Sequence, residues 1–544
     1  MQSTMMDVPL SLTRLMRHAT TVHGDAKVLT WTGDGSRSAS FAELGERIAR
    51  LANVLRGLGI TGDNRVGTFC WNDQEHFEAY LGVPAMGAVL HPINIRLFPE
   101  QIVYVTNHAE DEVVVVDGSL AVPFGKLLPQ MKSVRHVLVV GDADLDAVQA
   151  DGVEVHRYED ALAAAEPSFP WPEVDERQAA GMCYTSGTTG NPKGVVYSHR
   201  SSYLHASALS RGDVLALSPL DRVLPVVPMF HANAWGLPYG AALVGADVLM
   251  PERYLQGAPI AAMIEAERPT VAGAVPTIWN DLLRHGRENG ADLSSLRVVI
   301  CGGSAVPRSL MEGFDREFGV TVRHAWGMTE TSPLASVAIP PKDLPDGEER
   351  MRVRLTQGRL LPEVEFRLTG DDGGVVPNDG RTMGELEVRG PWVTARYYRE
   401  DDPAKFHDGW LRTGDVGTVD EEGFFTITDR SKDVIKSGGE WISSVDMENA
   451  LMAHPDVVEA AVVGIPDEKW QERPLAAVVV REGASLDAAQ LRDSLAEKFA
   501  KWQLPDSFTF IEAVPKTSVG KFDKKVLRQR FAQGDLEVRT LPHG

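Results

Sequence analysis

The feature that most limits the fold is an alternation. Short apolar runs ending at Gly, Asp or Ser, such as "EVVVVDG", "VRHVLVVGD" and "RVVICGGS", take turns with stretches of helical spacing. "SFAELGERIARLANVLRGLG" (40–59) is one such stretch, with apolar residues at helical intervals and a Gly stop. Near-continuous apolar strands belong to sheets covered on both faces, so the pattern predicts an α/β fold. "RVGTFCW", "AVLHPI", "AAGMCYTS", "KGVVYSH", "RVLPVVPMFH" and "ADVLMP" continue it. Between about 355 and 430 the texture changes to short β-like pieces ("EVEFRLTG", "GELEVRG", "GFFTITDR") separated by Gly/Asp turns, as in an antiparallel β subdomain. Beyond Arg430 the chain reads as a compact α+β unit. At 544 residues one core is not enough. The expectation is a large N-terminal domain (1–430) of α/β subdomains plus a β subdomain, and a small α+β C-terminal domain (431–544).

The formal net charge of −22 disfavours nucleic acid or anionic lipid as the main partner. Cys70, Cys183 and Cys301 stand far apart with no CxxC or His spacing, which predicts buried thiols rather than disulfides or zinc. No signal-peptide core opens the chain, and no run reaches the ~18 apolar residues of a membrane span. A cytoplasmic protein is expected, at most peripherally associated with membrane.

One stretch stands apart: "YTSGTTGNPKG", Tyr184 to Gly194. Hydroxyl residues interleaved with glycines and followed by a lysine suit a phosphate-holding loop. It is not a Walker A loop, because Pro192 stands where that motif needs its second Gly, and Gly follows Lys193.

The stretch resembles the phosphate loop of the adenylate-forming superfamily: acyl-CoA synthetases, luciferase and the adenylation domains of peptide synthetases. "PMFHANAWG" (228–236), "CGGSAVP" (301–307), "AWGMTET" (325–331), "LRTGDVG" (411–417), "DRSKDVIKSGGEW" (429–441) and "PKTSVGKFDK" (515–524) follow in the family's order. The resemblance implies two steps: a carboxylate and ATP give acyl-AMP and pyrophosphate, then the thiol of coenzyme A takes the acyl group. Two anions must be held together, so fixed donors and positive charge carry the catalysis.

The resemblance also implies roles. Thr185, Ser186, Gly187, Thr188, Thr189, Gly190 and Lys193 cradle the β- and γ-phosphates. Glu330 is the expected Mg²⁺ ligand, with Thr185 a second contact, and Thr329 bonds the α-phosphate. Gly302, Gly303, Ser304 and Ala305, with His324 and Ala325, line the adenine and acyl sites, and Trp326 stacks on adenine where relatives commonly have Tyr. Asp415 holds the ribose, assisted by Arg430. Lys521 resembles the mobile catalytic lysine that bridges the carboxylate and the α-phosphate. Lys432 stands at the hinge on which the mobile C-terminal domain turns, bringing in a CoA face with Gly438 and Gly439. Lys436 and Trp441 belong to the linker that contacts nucleotide. His231 lies beside the carboxylate.

The acid is narrowed by two further likenesses. Residues 229–240 carry no Asp or Glu, which disfavours an amino acid. Gly327 stands where acetate-using relatives have Trp, so it is expected to open the acyl pocket, beside Met328. Trp235 resembles the gate Trp of long-chain ligases. A medium- or long-chain fatty acid–CoA ligase is the reading reached here. A ligase for aryl or sulfur-containing short acids, a luciferase-like oxygenase and a carrier-loading enzyme stay open, as does a homodimer.

Overall fold

The computed structural model describes residues 1–185, 191–370, 372–431, 433–437, 440–496, 498–516 and 522–542, apart from the side chains of residues 440 and 441. It divides into two compact units: Met1–Glu365 with Arg389–Leu411, and Phe366–Val388 with Arg412–Gly544.

The first unit holds two sheets. In one, strands Glu154–Arg157, His136–Val140, Asp111–Asp117, Arg65–Phe69, Val89–Pro92 and Ala179–Tyr184 lie side by side in that order, all parallel. Strand Gly194–Ser198 closes the edge antiparallel to Ala179–Tyr184. Val114 and Val116 of the central strand pack with Phe69, Ile102 and Phe124. These strands are the apolar runs of the sequence, and the helix expected at 40–59 runs Phe41–Gly57, started by a reciprocal Ser40–Glu43 cap.

In the other sheet, parallel strands Thr321–Gly327, Val298–Gly302, Val271–Ala274, Arg222–Pro225, Asp247–Met250 and Lys27–Trp31 follow one another. Its core joins Leu224, Leu249, Trp279, Val299 and Phe314. The N-terminal strand Lys27–Trp31 thus pairs with a strand about 220 residues later, a non-local pairing that local pattern does not announce.

The second unit contains the antiparallel pairing of Asp415–Val419 with Phe425–Arg430. It also contains a sheet in which the long strand Gln471–Val480 pairs with Val457–Asp467 and Ser507–Phe510. Helices Ser444–Met452, Ala488–Leu495 and Lys524–Gln533 accompany that sheet. Here Lys524 lies buried against Glu448 at 2.8 Å. Burial pushes the Glu448 carboxyl up to about 7, against the pull of that lysine.

Candidate active site

The glycine- and threonine-rich stretch leaves strand Ala179–Tyr184 and returns as strand Gly194–Ser198. Its neck is tied twice. The Thr185 N–H donates to the Lys193 carbonyl at 2.9 Å, and the Lys193 N–H to the Thr185 hydroxyl at 3.1 Å. Ser186, Gly187, Thr188, Thr189 and Gly190 lie outside the described residues, as do Lys432, Gly438, Gly439 and Lys521 and the side chain of Trp441.

Gly194 is a close-approach position. A Cβ there would meet the Tyr184 ring and Tyr398 Cβ, each at 3.2 Å. The Tyr398 N–H bonds the Gly194 carbonyl at 2.8 Å, which brings segment 394–402 alongside. That segment supplies residues the sequence reading did not single out. Lys193 Nζ sits between Glu400 Oε1 at 2.7 Å and Asp402 Oδ2 at 2.9 Å, above the Tyr397 ring. Partial burial pulls the Lys193 ammonium down, but the two carboxylates outweigh it and hold it above its ordinary value.

Tyr397 donates its hydroxyl to Glu330 Oε1 at 2.6 Å, and the Thr394 N–H bonds the Glu330 carbonyl at 2.8 Å. Tyr197 donates to the Thr329 carbonyl at 2.8 Å. Thr329 and Glu330 are therefore fixed from both sides, with the Glu330 carboxylate buried. Beneath the same turn the Leu334 N–H donates to His205 Nε2 at 3.0 Å, and burial pushes the His205 imidazole down to about 3. His205 is thus a neutral acceptor that holds the turn. Nothing in its spacing distinguished it, or Tyr397, from other polar residues.

The expectation for Gly327 fails. A Cβ there would lie 1.9 Å from the Pro333 carbonyl oxygen and 2.6 Å from its carbon. The register between Thr321–Gly327 and Leu334–Val337 shifts at this point, and the chains press together. Glycine stands at 327 because main chain fills the side-chain direction, so it does not open an acyl pocket. Met328 is half-buried, and its N–H is held by the Thr331 hydroxyl at 2.9 Å.

Gly302 and Gly303 end the neighbouring strand. A Cβ on Gly302 would meet the Ala325 carbonyl at 2.6 Å, and Gly303 has φ +83°. Ser304 is exposed and Ala305 half-buried. His324 is buried, its Nδ1 3.2 Å from the Leu355 carbonyl, and burial pushes its imidazole down to about 4. Ala325 and Trp326 are buried as well.

The stretch "HANAWG" takes a form no pattern predicted. Ala232, Asn233, Ala234, Trp235 and Gly236 all have positive φ, at 45°, 57°, 46°, 59° and 76°. Left-handed backbone is unfavourable for residues with a Cβ. Here it is held from outside. Asn233 Oδ1 accepts from Tyr80 and from Cys183 Sγ, and Asn72 donates to the carbonyls of Pro225 and Val227 while accepting from the Met229 N–H. The result places the Trp235 ring next to the strand ends. It lies 3.7 Å from a Cβ built on Gly302 and 3.8 Å from one built on Gly273. Trp235, Gly273 and Gly302 are thus brought together, with half-buried His231 at the entry to the turn.

In the second unit Asp415 stands opposite Arg430 on paired strands, with Arg430 Nε 2.8 Å from the buried carboxylate. Lys436 is half-buried, and its N–H bonds Glu472 at 2.9 Å. The three cysteines are free and buried, as expected.

The AMP-binding enzyme model matches residues 16–398, which contain every motif from the Tyr184–Gly194 stretch to the Glu330 turn. The chain belongs to the AMP-binding enzyme family. The family's C-terminal domain model matches residues 446–521. A 3-methylmercaptopropionyl-CoA ligase of Ruegeria pomeroyi is 44% identical over 532 residues, 97% of this chain and 98% of the relative. A long-chain-fatty-acid–CoA ligase of Thermus thermophilus is 45% identical over 538 residues, 97% of each. The crystal structure of ATP-bound MatB from Rhodopseudomonas palustris superposes with a TM-score of 0.81 at 27% identity, covering 96% of this chain and 99% of that one. This AMP-binding enzyme is an AMP-forming acyl-CoA ligase that uses ATP. Among the described residues no helix is long and apolar enough to cross a membrane.

Proposed function

We propose that this ligase activates an unbranched apolar carboxylic acid, a medium- or long-chain fatty acid, and transfers it to coenzyme A. The observation that supports an apolar tail is the seating of Trp235 against the ends of strands Val271–Ala274 and Val298–Gly302, in a stretch without an ionised side chain. The identity to the long-chain ligase agrees with it. A second reading, a short sulfur-containing acid, is favoured by the 44% identity to the 3-methylmercaptopropionyl-CoA ligase. Both acids carry a flexible tail without charge.

In the first step Lys193 and the Thr185 hydroxyl meet the phosphates, and Thr329 presents its hydroxyl to the α-phosphate. A buried carboxylate with one oxygen held by Tyr397, and a threonine hydroxyl, are hard oxygen donors that fit Mg²⁺. Glu330 and Thr185 would hold the ion, which when bound neutralises phosphate charge. Asp415, oriented by Arg430, takes the ribose hydroxyls, and Lys521 stabilises the charge that develops as the carboxylate attacks. We place the domain boundary at 430 and the hinge at Lys432, so that residues 431–544 turn between the half-reactions. The CoA face then comes from that domain, with the Gly438–Gly439 pair and the linker residues Lys436 and Trp441.

The test is CoA-dependent AMP release across straight-chain acids from acetate to C18, with 3-methylmercaptopropionate beside them. The highest kcat/KM is expected between C8 and C16. A preference for the sulfur acid over every one of these chains would replace the first reading by the second.

A further inference from the structure

We propose that His136, Glu154 and His156 form a binding site for one divalent transition-metal ion, zinc above all, separate from the nucleotide site. The two strands that carry them are parallel neighbours at one edge of the first sheet, with His136 opposite Glu154 and Leu138 opposite His156. Alternation along a strand puts Glu154 and His156 on one face, and the register puts His136 on that same face. The register therefore sets all three ligand-type side chains on one face of the strand pair.

The distances are close to those of a metal centre. Glu154 Oε2 lies 3.5 Å from His136 Nδ1 and 3.8 Å from His156 Nε2. One donor atom from each residue falls within a 4.8 Å span. Ligands 2.0–2.1 Å from a tetrahedral ion stand about 3.3 Å apart, so the two gaps to Glu154 need to close by only about 0.2 and 0.5 Å. Glu154 is the residue able to close them, because its side chain is 72% exposed.

The nitrogens are also waiting for a partner. His136 Nδ1 and His156 Nε2 are both buried from solvent and neither makes a hydrogen bond. Buried polar atoms are rarely left so. Two imidazoles and one carboxylate suit Zn²⁺ and its neighbours in the transition series, whereas Mg²⁺ takes oxygen ligands. Water completes the coordination. The ion would clamp the edge strand Glu154–Arg157 to its neighbour, at the opposite edge of the sheet from the Thr185–Lys193 neck.

The experiment uses the full chain without an affinity tag, stripped by chelator and free of nucleotide. Zn²⁺ is titrated by calorimetry and Co²⁺ by visible absorption. One equivalent is expected to bind, with an intense four-coordinate cobalt band. His136→Ala and His156→Ala are each expected to weaken binding by about 100-fold or more, beyond what loss of a supporting residue does. Glu154→Gln, on an exposed side chain, is expected to weaken it too. Glu330→Gln is expected to leave zinc affinity unchanged, and the His136→Ala/His156→Ala protein to form acyl-AMP at the parental rate, which shows that it is folded. The chain has 15 histidines, so zinc binding that persists at parental affinity in the double variant places the ion elsewhere and overturns the proposal. Absence of saturable binding to the parent overturns it as well.

Discussion

Lys193 is held by Glu400 and Asp402 at 2.7 and 2.9 Å, yet its proposed partner is a phosphate. To meet ATP the ammonium must leave two carboxylates. At such separations the bare attraction is about 6 kcal/mol per pair for an effective dielectric constant of 20. The lysine and its partners are 25–44% exposed, so solvent screening brings each pair down to ~0.5–1 kcal/mol. The two together oppose nucleotide binding by about 1–2 kcal/mol, roughly a 5- to 25-fold effect on affinity. Glu400→Gln with Asp402→Asn keeps the shape of both side chains and lets residue 402 still accept from the Lys405 N–H. This double variant is expected to lower the KM for MgATP by at least about threefold, and the gain is expected to shrink as salt screens the parental pairs. Steady-state kinetics of pyrophosphate release, run in parent and in a Lys193→Ala background, measures both. The reasoning is refuted if the KM is unchanged or rises in a folded double variant, or if the same gain persists without Lys193.

Tyr397→Phe removes the hydroxyl that holds Glu330 and is expected to reduce acyl-AMP formation about 10-fold, with a higher Mg²⁺ requirement, seen in magnesium titrations of pyrophosphate release. Gly327→Ala sets a methyl against the Pro333 main chain and is expected to lower the melting temperature and impair activity with every acid alike, which a comparison of C2 and C12 acids checks. Lys521→Ala is expected to abolish adenylation while sparing thioester formation from supplied acyl-AMP; equal loss in both half-reactions would disprove its assigned role. Glu448→Ala leaves the buried Lys524 charge without its carboxylate and is expected to destabilise the second unit by about 3–5 kcal/mol, measurable by chemical denaturation.

Much of this was legible beforehand. The strands Asp111–Asp117 and His136–Val140 are valine-rich because both their faces are covered, and that burial writes itself into local sequence. The order of hydroxyls, glycines and lysine marks a loop that resembles the family's phosphate loop, and its neck at Thr185 and Lys193 closes as a strand-to-strand return should. What local sequence could not carry was approach between distant segments. Tyr397 reaches Glu330 only because Gly194 lets a chain 200 residues downstream pass close by, and Gly327 reads as empty space until Pro333 is seen to fill it. The backbone from Ala232 to Trp235 was illegible for the same reason. Ala and Trp carry no preference for positive φ, and the groups that impose it come from far upstream.

That imposed turn has a consequence for how acyl preference can change. Four successive residues with a Cβ in left-handed backbone represent about 4 kcal/mol or more of unfavourable local conformation, offset by anchors at Asn72, Tyr80 and Cys183. The aim of the Trp235 ring, which we propose meets the acyl tail, is therefore inherited from the upstream anchors Asn72, Tyr80 and Cys183. In a library selected for a new acid, substitutions at 72 and 80 are variables of the same kind as those lining the pocket, and the two sets are coupled. A pocket change chosen on one anchor background will have a different effect on another, so the order in which such substitutions accumulate decides which acids the enzyme can come to accept.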